Sequence, residues 1–136
     1  MKTQLIRNIS VALLAAAYMF GQEPQRITVQ IPFGFHVGDS MLPPGQYTVA
    51  TEVQNGVVRL RSADFQSSVM ALTNGIEPRT RSNEAKLVFN RYGNEYFLSQ
   101  IWTSSTDPGR ALLKTKRETE TAANRSRGSE SVMARK

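Results

Sequence analysis

The chain has 136 residues, contains no cysteine and one histidine, and carries a formal charge of +6. This length is typical of one domain, and an apolar content of 40% is enough to build a core. The absence of cysteine excludes disulfides, thiolate-ligated metals and thiol catalysis. A single histidine excludes any metal site that needs two imidazole ligands.

The first 21 residues have the composition of a signal peptide. Lys2 and Arg7 precede residues 9–20, an uncharged apolar stretch that is shorter than the roughly 20 residues of a membrane span. We therefore expect residues 1–21 to be a signal peptide with cleavage near Gln22. The mature protein is expected to be exported to the periplasm, the cell surface or the medium, with no membrane span.

Alternating apolar and polar residues predict strands over the first half of the mature chain. Ile27 to Val37 alternate at period two, and Pro32 within them predicts an edge strand or a bend, because proline cannot donate to a ladder. Asn55-Gly56 predicts a hairpin whose returning strand points Arg59 and Arg61 outward. A further strand is predicted from Phe65 to Thr73, ended by Asn74-Gly75.

The second half of the chain predicts a polar loop over residues 77–84 and then a hairpin. Lys86 to Tyr92 and Glu95 to Trp102 flank a turn at Gly93-Asn94, and both faces carry large side chains, as in strands covered on both sides. A last short strand is predicted at residues 111–113. About seven short strands predict an all-β domain over residues 22–116, either an antiparallel β-sandwich or a small β-barrel.

Apolar residues become scarce after Leu113, so residues 117–136 are predicted to be a disordered basic tail with at most a helical turn or two around Arg117–Ala123. Residues 22–113 hold eight basic and eight acidic residues, so the excess positive charge of the mature chain lies in the tail. This distribution argues against a basic binding face on the domain and against a nucleic-acid partner.

Two patterns resemble known proteins. Leu42-Pro43-Pro44-Gly45-Gln46-Tyr47-Thr48-Val49 resembles the turn and strand of carboxypeptidase-regulatory-like and prealbumin-like β-sandwich modules. Over residues 27–113, the pattern Val29-Gln30-Ile31-Pro32-Phe33, the Leu-Pro-Pro-Gly turn, and Leu87 through Trp102 is similar to a family of short exported bacterial β-proteins with no assigned function. The second resemblance implies export and a β-domain, and it implies no catalytic residues.

Few residues offer catalytic chemistry. His36 is the one available imidazole base, and Asp39 and Ser40 follow it, but the sequence contains no Gly-x-Ser-x-Gly nucleophile motif. The acidic residues show no pairing typical of glycosidases and no calcium-loop spacing. We expect no catalytic, cofactor-binding or metal-binding residues, and therefore no enzyme.

The sequence favours a non-enzymatic exported β-domain with a binding or structural role at the cell envelope. The alternative is a small β-barrel that binds a hydrophobic ligand, and the third hypothesis is a hydrolase. Envelope polysaccharide, anionic lipid or another exported protein are the candidate partners. Aromatic residues interleaved with arginine make the second hairpin the predicted interaction surface, formed by Arg91, Tyr92, Tyr96 and Trp102.

Overall fold

The computed structural model describes residues 25–52, 56–78, 84–103 and 108–135, so the expected signal peptide lies outside the described residues. Within these ranges the chain forms ten strands and one helix, and no helix there has the length and apolar character needed to cross a membrane. The elements are β1 (Gln25–Ile31), β2 (Phe35–Val37), β3 (Ser40–Leu42), β4 (Gly45–Glu52), β5 (Val57–Ser62), β6 (Ser68–Ile76), β7 (Lys86–Tyr92), β8 (Glu95–Trp102), β9 (Gly109–Leu112), α1 (Lys116–Asn124) and β10 (Arg127–Met133).

The ten strands belong to one mixed sheet that is not closed. Strands β1, β4, β5 and β6 are successive antiparallel neighbours, and β9 connects β6 to β8. Strand β8 also pairs with β7 and, in parallel, with β2, while β10 pairs with the other edge of β7. The all-β prediction is confirmed, and the architecture is sandwich-like, with ten short strands where about seven were expected.

The core lies where the two halves of this sheet face each other. Period-two alternation in β4 and β5 buries Val49, Val58 and Leu60 and leaves the residues between them outside. These side chains pack against others from β2, β7 and β8, and aromatic rings fill the contact. The edge-to-face ring pairs are Phe33–Phe89 at 5.0 Å, Phe35–Tyr47 at 5.2 Å and Phe35–Phe89 at 5.5 Å between centroids.

The first predicted strand is interrupted at Pro32, as the missing N–H of proline requires. Residues 27–31 belong to β1 and pair with β4, whereas residues 35–37 form β2 and pair with β3 and β8. The predicted strand from Phe65 to Thr73 is shifted, because residues 63–67 form a turn and β6 begins at Ser68. Asn74 and Gly75 lie inside β6 and pair with β9, so they do not end the strand.

The C-terminal segment differs from the expected disordered tail, because residues 116–133 form α1 and β10. The Thr115 hydroxyl caps α1 by accepting a hydrogen bond from the Glu118 N–H at 3.2 Å. Strand β10 pairs with β7 over seven residues through backbone hydrogen bonds, which require few apolar side chains. Apolar content therefore underestimated the order of this segment.

The predicted hairpin from Lys86 to Trp102 is confirmed, with a turn in which Gly93 has a φ of +64°. Its inner face contributes Leu87, Phe89 and Ile101 to the core. Tyr92 and Phe97 are also buried: their rings lie edge to face at 5.7 Å between centroids, and the Tyr92 hydroxyl contacts Glu118 of α1. The large side chains on both faces are thus explained by burial on both sides.

Candidate functional site

The predicted interaction surface on the hairpin is divided in the structure. Arg91 and Tyr96 are register partners, and the Arg91 guanidinium carbon lies 5.6 Å from the centroid of the Tyr96 ring. The same ring stacks on Phe33 at 3.8 Å between centroids, which holds it against the core. Arg91 is exposed and Tyr96 is half-buried, so these two residues form a small outward contact.

Tyr92 and Trp102 lie apart from that contact. Tyr92 is fully buried, and its hydroxyl donates a hydrogen bond to Glu118 Oε1 at 3.1 Å. Trp102 is at the opposite end of β8, where its indole N–H donates to Gln100 Oε1 at 3.1 Å. Its ring also lies so close to Gly109 that a Cβ there would be 2.5 Å away. The arrangement gives both residues packing roles.

His36 is buried at 2% exposure, and its ring stacks on Phe97 at 4.4 Å between centroids. Its Nδ1 has no hydrogen-bond partner within the described ranges. Burial lowers the pKa of His36 below its ordinary value, and the nearby Arg117 charge lowers it further, while Glu95 opposes both effects. His36 is therefore a buried side chain packed against Phe97, and burial favours its neutral form.

A different surface, on the outer side of the sheet, brings three arginines close together. On the outer side of β4, Ala50 is flanked in register by Arg26 of β1 and Arg59 of β5. Thr48, two residues earlier, is the register partner of Arg61. Because adjacent strands are about 4.8 Å apart, the Cα atoms of Arg26 and Arg59 are separated by only about 10 Å.

These side chains surround an open depression of about 230 Å³. Its floor is formed by the small side chains of Thr48 and Ala50, and its rim by the longer ones. We call this surface the arginine face and define it by the residues that line the depression, which are Arg26, Thr48, Ala50, Arg59, Arg61 and Phe65.

Positive charge dominates the arginine face. Glu52 contacts Arg59 at 4.0 Å, and both side chains are more than a third exposed, so solvent screens this pair. Arg59 also donates to the Met70 sulfur at 3.4 Å. Asp64 lies in the neighbouring turn, where hydrogen bonds from Ser62 and the Gln66 N–H lower the pKa of its carboxyl group. Guanidinium groups in this arrangement offer planar, multiple donors to an anion.

Phe65 is the unusual residue of this face. It is 74% exposed and has a φ of +60°, the one positive φ at a non-glycine residue in the described ranges. That conformation is unfavourable for a bulky side chain, and backbone strain of this kind is concentrated at functional positions. Its N–H donates to the Ser62 carbonyl, and the Arg61 guanidinium carbon lies 5.6 Å from its ring centroid.

Reasoning from the sequence did not find the arginine face. The prediction against a basic face depends on the zero net charge of residues 22–113, and a net charge carries no information about where the charges lie. The outward direction of Arg59 and Arg61 was predicted correctly. Arg26 joins them only through the pairing of β1 with β4, which is a long-range contact.

Comparison of the chain with protein-family models, with curated proteins and with solved structures finds no match. The candidate site therefore depends on geometry and charge alone.

Proposed function

We propose that this protein is a non-enzymatic, exported binding domain of the cell envelope, and that the arginine face holds its anionic ligand. The observation that carries the proposal is the convergence of Arg26, Arg59 and Arg61 around a floor of small side chains. Export is supported by the basic and apolar composition of residues 1–21.

The packing offers less support for the alternative, a barrel that binds a hydrophobic ligand. The rings of Phe33, Phe35, Tyr47 and Phe89 contact one another where such a ligand would lie. A hydrolase has no supporting geometry in the described ranges either, because the buried His36 stacks on Phe97. Binding at the outer face is the function that this geometry favours.

Export is tested by mass spectrometry of protein recovered from the envelope or the medium. The proposal expects a mature N-terminus between Tyr18 and Gln22. Intact Met1 in a cytoplasmic fraction would contradict it.

Anion binding is tested by titrating labelled dextran sulfate, with neutral dextran as the control ligand, at about 0.15 M salt to suppress non-specific attraction. Replacing Arg26, Arg59 and Arg61 with Gln should weaken binding roughly tenfold or more, because each exposed charge pair contributes up to about 1 kcal/mol.

The matched control replaces Lys114, Lys116 and Arg127 with Gln, three exposed basic residues that do not line the depression. This control changes the net charge equally and should bind dextran sulfate almost as well as the unmodified protein. An equal loss in both triple variants would show that binding follows net charge, and the arginine face would then be rejected.

A further inference from the structure

We infer that the ligand of the arginine face is an acidic polysaccharide whose carboxylates bind along strand β4. This inference rests on the proposed function and adds the ligand class, the direction of the chain and a contribution from the C-terminal segment.

The surface around β4 is elongated. The outward side chains of this strand that carry no negative charge extend over about 13 Å, since a strand rises about 3.3 Å per residue. They are Gln46, Thr48 and Ala50, and the row ends at the Glu52 carboxylate, which contacts Arg59 at 4.0 Å. Arginines stand on both sides of this row, Arg26 on β1 and Arg59 and Arg61 on β5. A row of this length with positive charge on both sides fits an extended polyanion better than a single small ion.

The C-terminal end of the described chain supplies an additional cation to this surface. The Arg135 N–H donates to the Thr28 carbonyl at 2.8 Å, and Ala134 forms a bridge with Val29, so this segment lies against β1. The Arg135 side chain reaches Gln46, with Nη1 3.5 Å from Oε1. The C-terminal segment thereby places an exposed guanidinium at the Gln46 end of the row.

Uncharged polar groups and an aromatic ring lie between and beside the arginines. Thr28 and Thr48 are register partners, and together with Gln46 they offer hydroxyl and amide groups that suit sugar hydroxyls. Phe65 presents an exposed ring at the side of the row, where a sugar ring can stack on it. Arginine forks match planar carboxylates in a bidentate manner. Polar hydroxyl-binding groups, an open aromatic ring and spaced guanidinium groups together indicate an acidic polysaccharide.

Other occupants fit this surface less well. A second copy presenting the same face would place arginine against arginine, which is repulsive. A protein partner typically inserts an apolar anchor into a desolvated pocket, whereas this depression is open and has a small polar and methyl floor. Met70 and Leu72 are exposed apolar side chains of the kind that a protein partner contacts, but they do not line the depression.

The test measures binding of the purified protein to polygalacturonate, to poly-L-glutamate of matched charge, and to vesicles containing phosphatidylglycerol. We expect polygalacturonate to bind at least roughly tenfold more tightly than poly-L-glutamate.

Phe65→Asn removes the ring while keeping a residue that tolerates positive φ, and it should weaken polygalacturonate binding roughly threefold or more. Arg135→Gln should weaken it roughly threefold, and the control Arg127→Gln on the same segment should leave it unchanged.

The outcomes separate the inference from the proposed function. Equal binding of both polymers with no effect of Phe65→Asn would overturn the polysaccharide inference and leave an anion-binding face. Binding to vesicles alone would overturn it in favour of lipid. Failure to bind any of the three probes or dextran sulfate would reject the proposed function itself. Unchanged thermal unfolding of each variant confirms that the losses come from the removed groups.

Discussion

At the scale of single residues, Glu118 connects the C-terminal helix to the sheet. It is 5% exposed, and its Oε1 accepts hydrogen bonds from Asn90 Nδ2 at 2.9 Å and from the Tyr92 hydroxyl at 3.1 Å. Desolvation and the adjacent Glu118 carboxylate raise the pKa of Tyr92, which keeps the hydroxyl protonated as a donor. The free-energy cost of removing the Glu118 carboxylate from water is offset by these two hydrogen-bond donors.

Glu118→Ala should therefore lower the free energy of unfolding by roughly 1–3 kcal/mol, since it leaves the Asn90 amide and the Tyr92 hydroxyl without this acceptor. Urea unfolding measures the change. Glu120→Ala on the same helix is the matched control, because Glu120 is exposed and, among the described residues, its carboxylate forms an ion pair with Lys116 at 4.0 Å, a contact of about 0.3–0.5 kcal/mol. Equal effects of the two substitutions would contradict the role assigned to Glu118.

The buried His36 makes stability depend on pH. Because its pKa is lowered in the folded state, the unfolded chain binds the proton more tightly near the ordinary value of 6.5. The contribution of the neutral imidazole is complete above about pH 6.5 and is lost as the pH falls through the folded-state pKa. His36→Phe, which retains a ring against Phe97, should flatten the decline in unfolding free energy that begins below about pH 6.5. Identical slopes in urea titrations of both proteins would contradict this assignment.

At the scale of elements, the hairpin of β7 and β8 depends on its turn. Gly93 has a φ of +64°, and a Cβ there would lie 3.0 Å from Arg125 Nη1. Gly93→Ala should lower stability by about 1–2 kcal/mol, because an L-residue is strained in this region. Gly128→Ala is the control, since its Cβ would meet atoms only at 3.9 Å and its φ is ordinary, so we expect it to be neutral or slightly stabilising. Thermal unfolding in which both substitutions have the same sign would refute the turn assignment.

Strand β10 is the element that separates the structure most clearly from the expected disordered tail. Its pairing with β7 predicts that alternate amides of Arg127–Met133 exchange with solvent at least roughly tenfold more slowly than in an unstructured chain. Hydrogen exchange followed by NMR measures each amide separately. Full exchange of all seven amides at the unstructured rate would show that β10 does not pair with β7.

At the scale of the whole molecule, the sequence was most informative where contacts are local. Both strands of the Lys86–Trp102 hairpin were predicted with their bounds, because alternation and a glycine turn act over adjacent residues. In the C-terminal segment the sequence predicted at most a helical turn or two around Arg117–Ala123, where the structure has α1, and it did not predict β10. Thr115 and Glu118 have the spacing of a capping box. The C-terminal strand β10 pairs with the edge of β7, and the amino-acid sequence alone does not reveal that this edge is available.

The distribution of charge on the surface also depends on contacts between residues that are distant in the sequence. Balanced composition over residues 22–113 conceals a surface where three arginines meet, because strand register brings Arg26, Arg59 and Arg61 together from distant positions. Arg135 adds a fourth guanidinium beside Gln46 from the opposite end of the chain. The paired sheet therefore concentrates positive charge that the linear sequence spreads over more than 100 positions.

The most direct test of the arginine face is a map of NMR chemical shifts during titration of the protein with trigalacturonate. We predict that the largest amide shifts fall on β1, β4 and β5 around Arg26, Thr48 and Arg61, and that the hairpin residues Arg91 and Tyr96 stay unperturbed. Largest shifts at Arg91 and Tyr96 would move the binding site to the hairpin, and a spectrum without shifts would contradict anion binding at the arginine face.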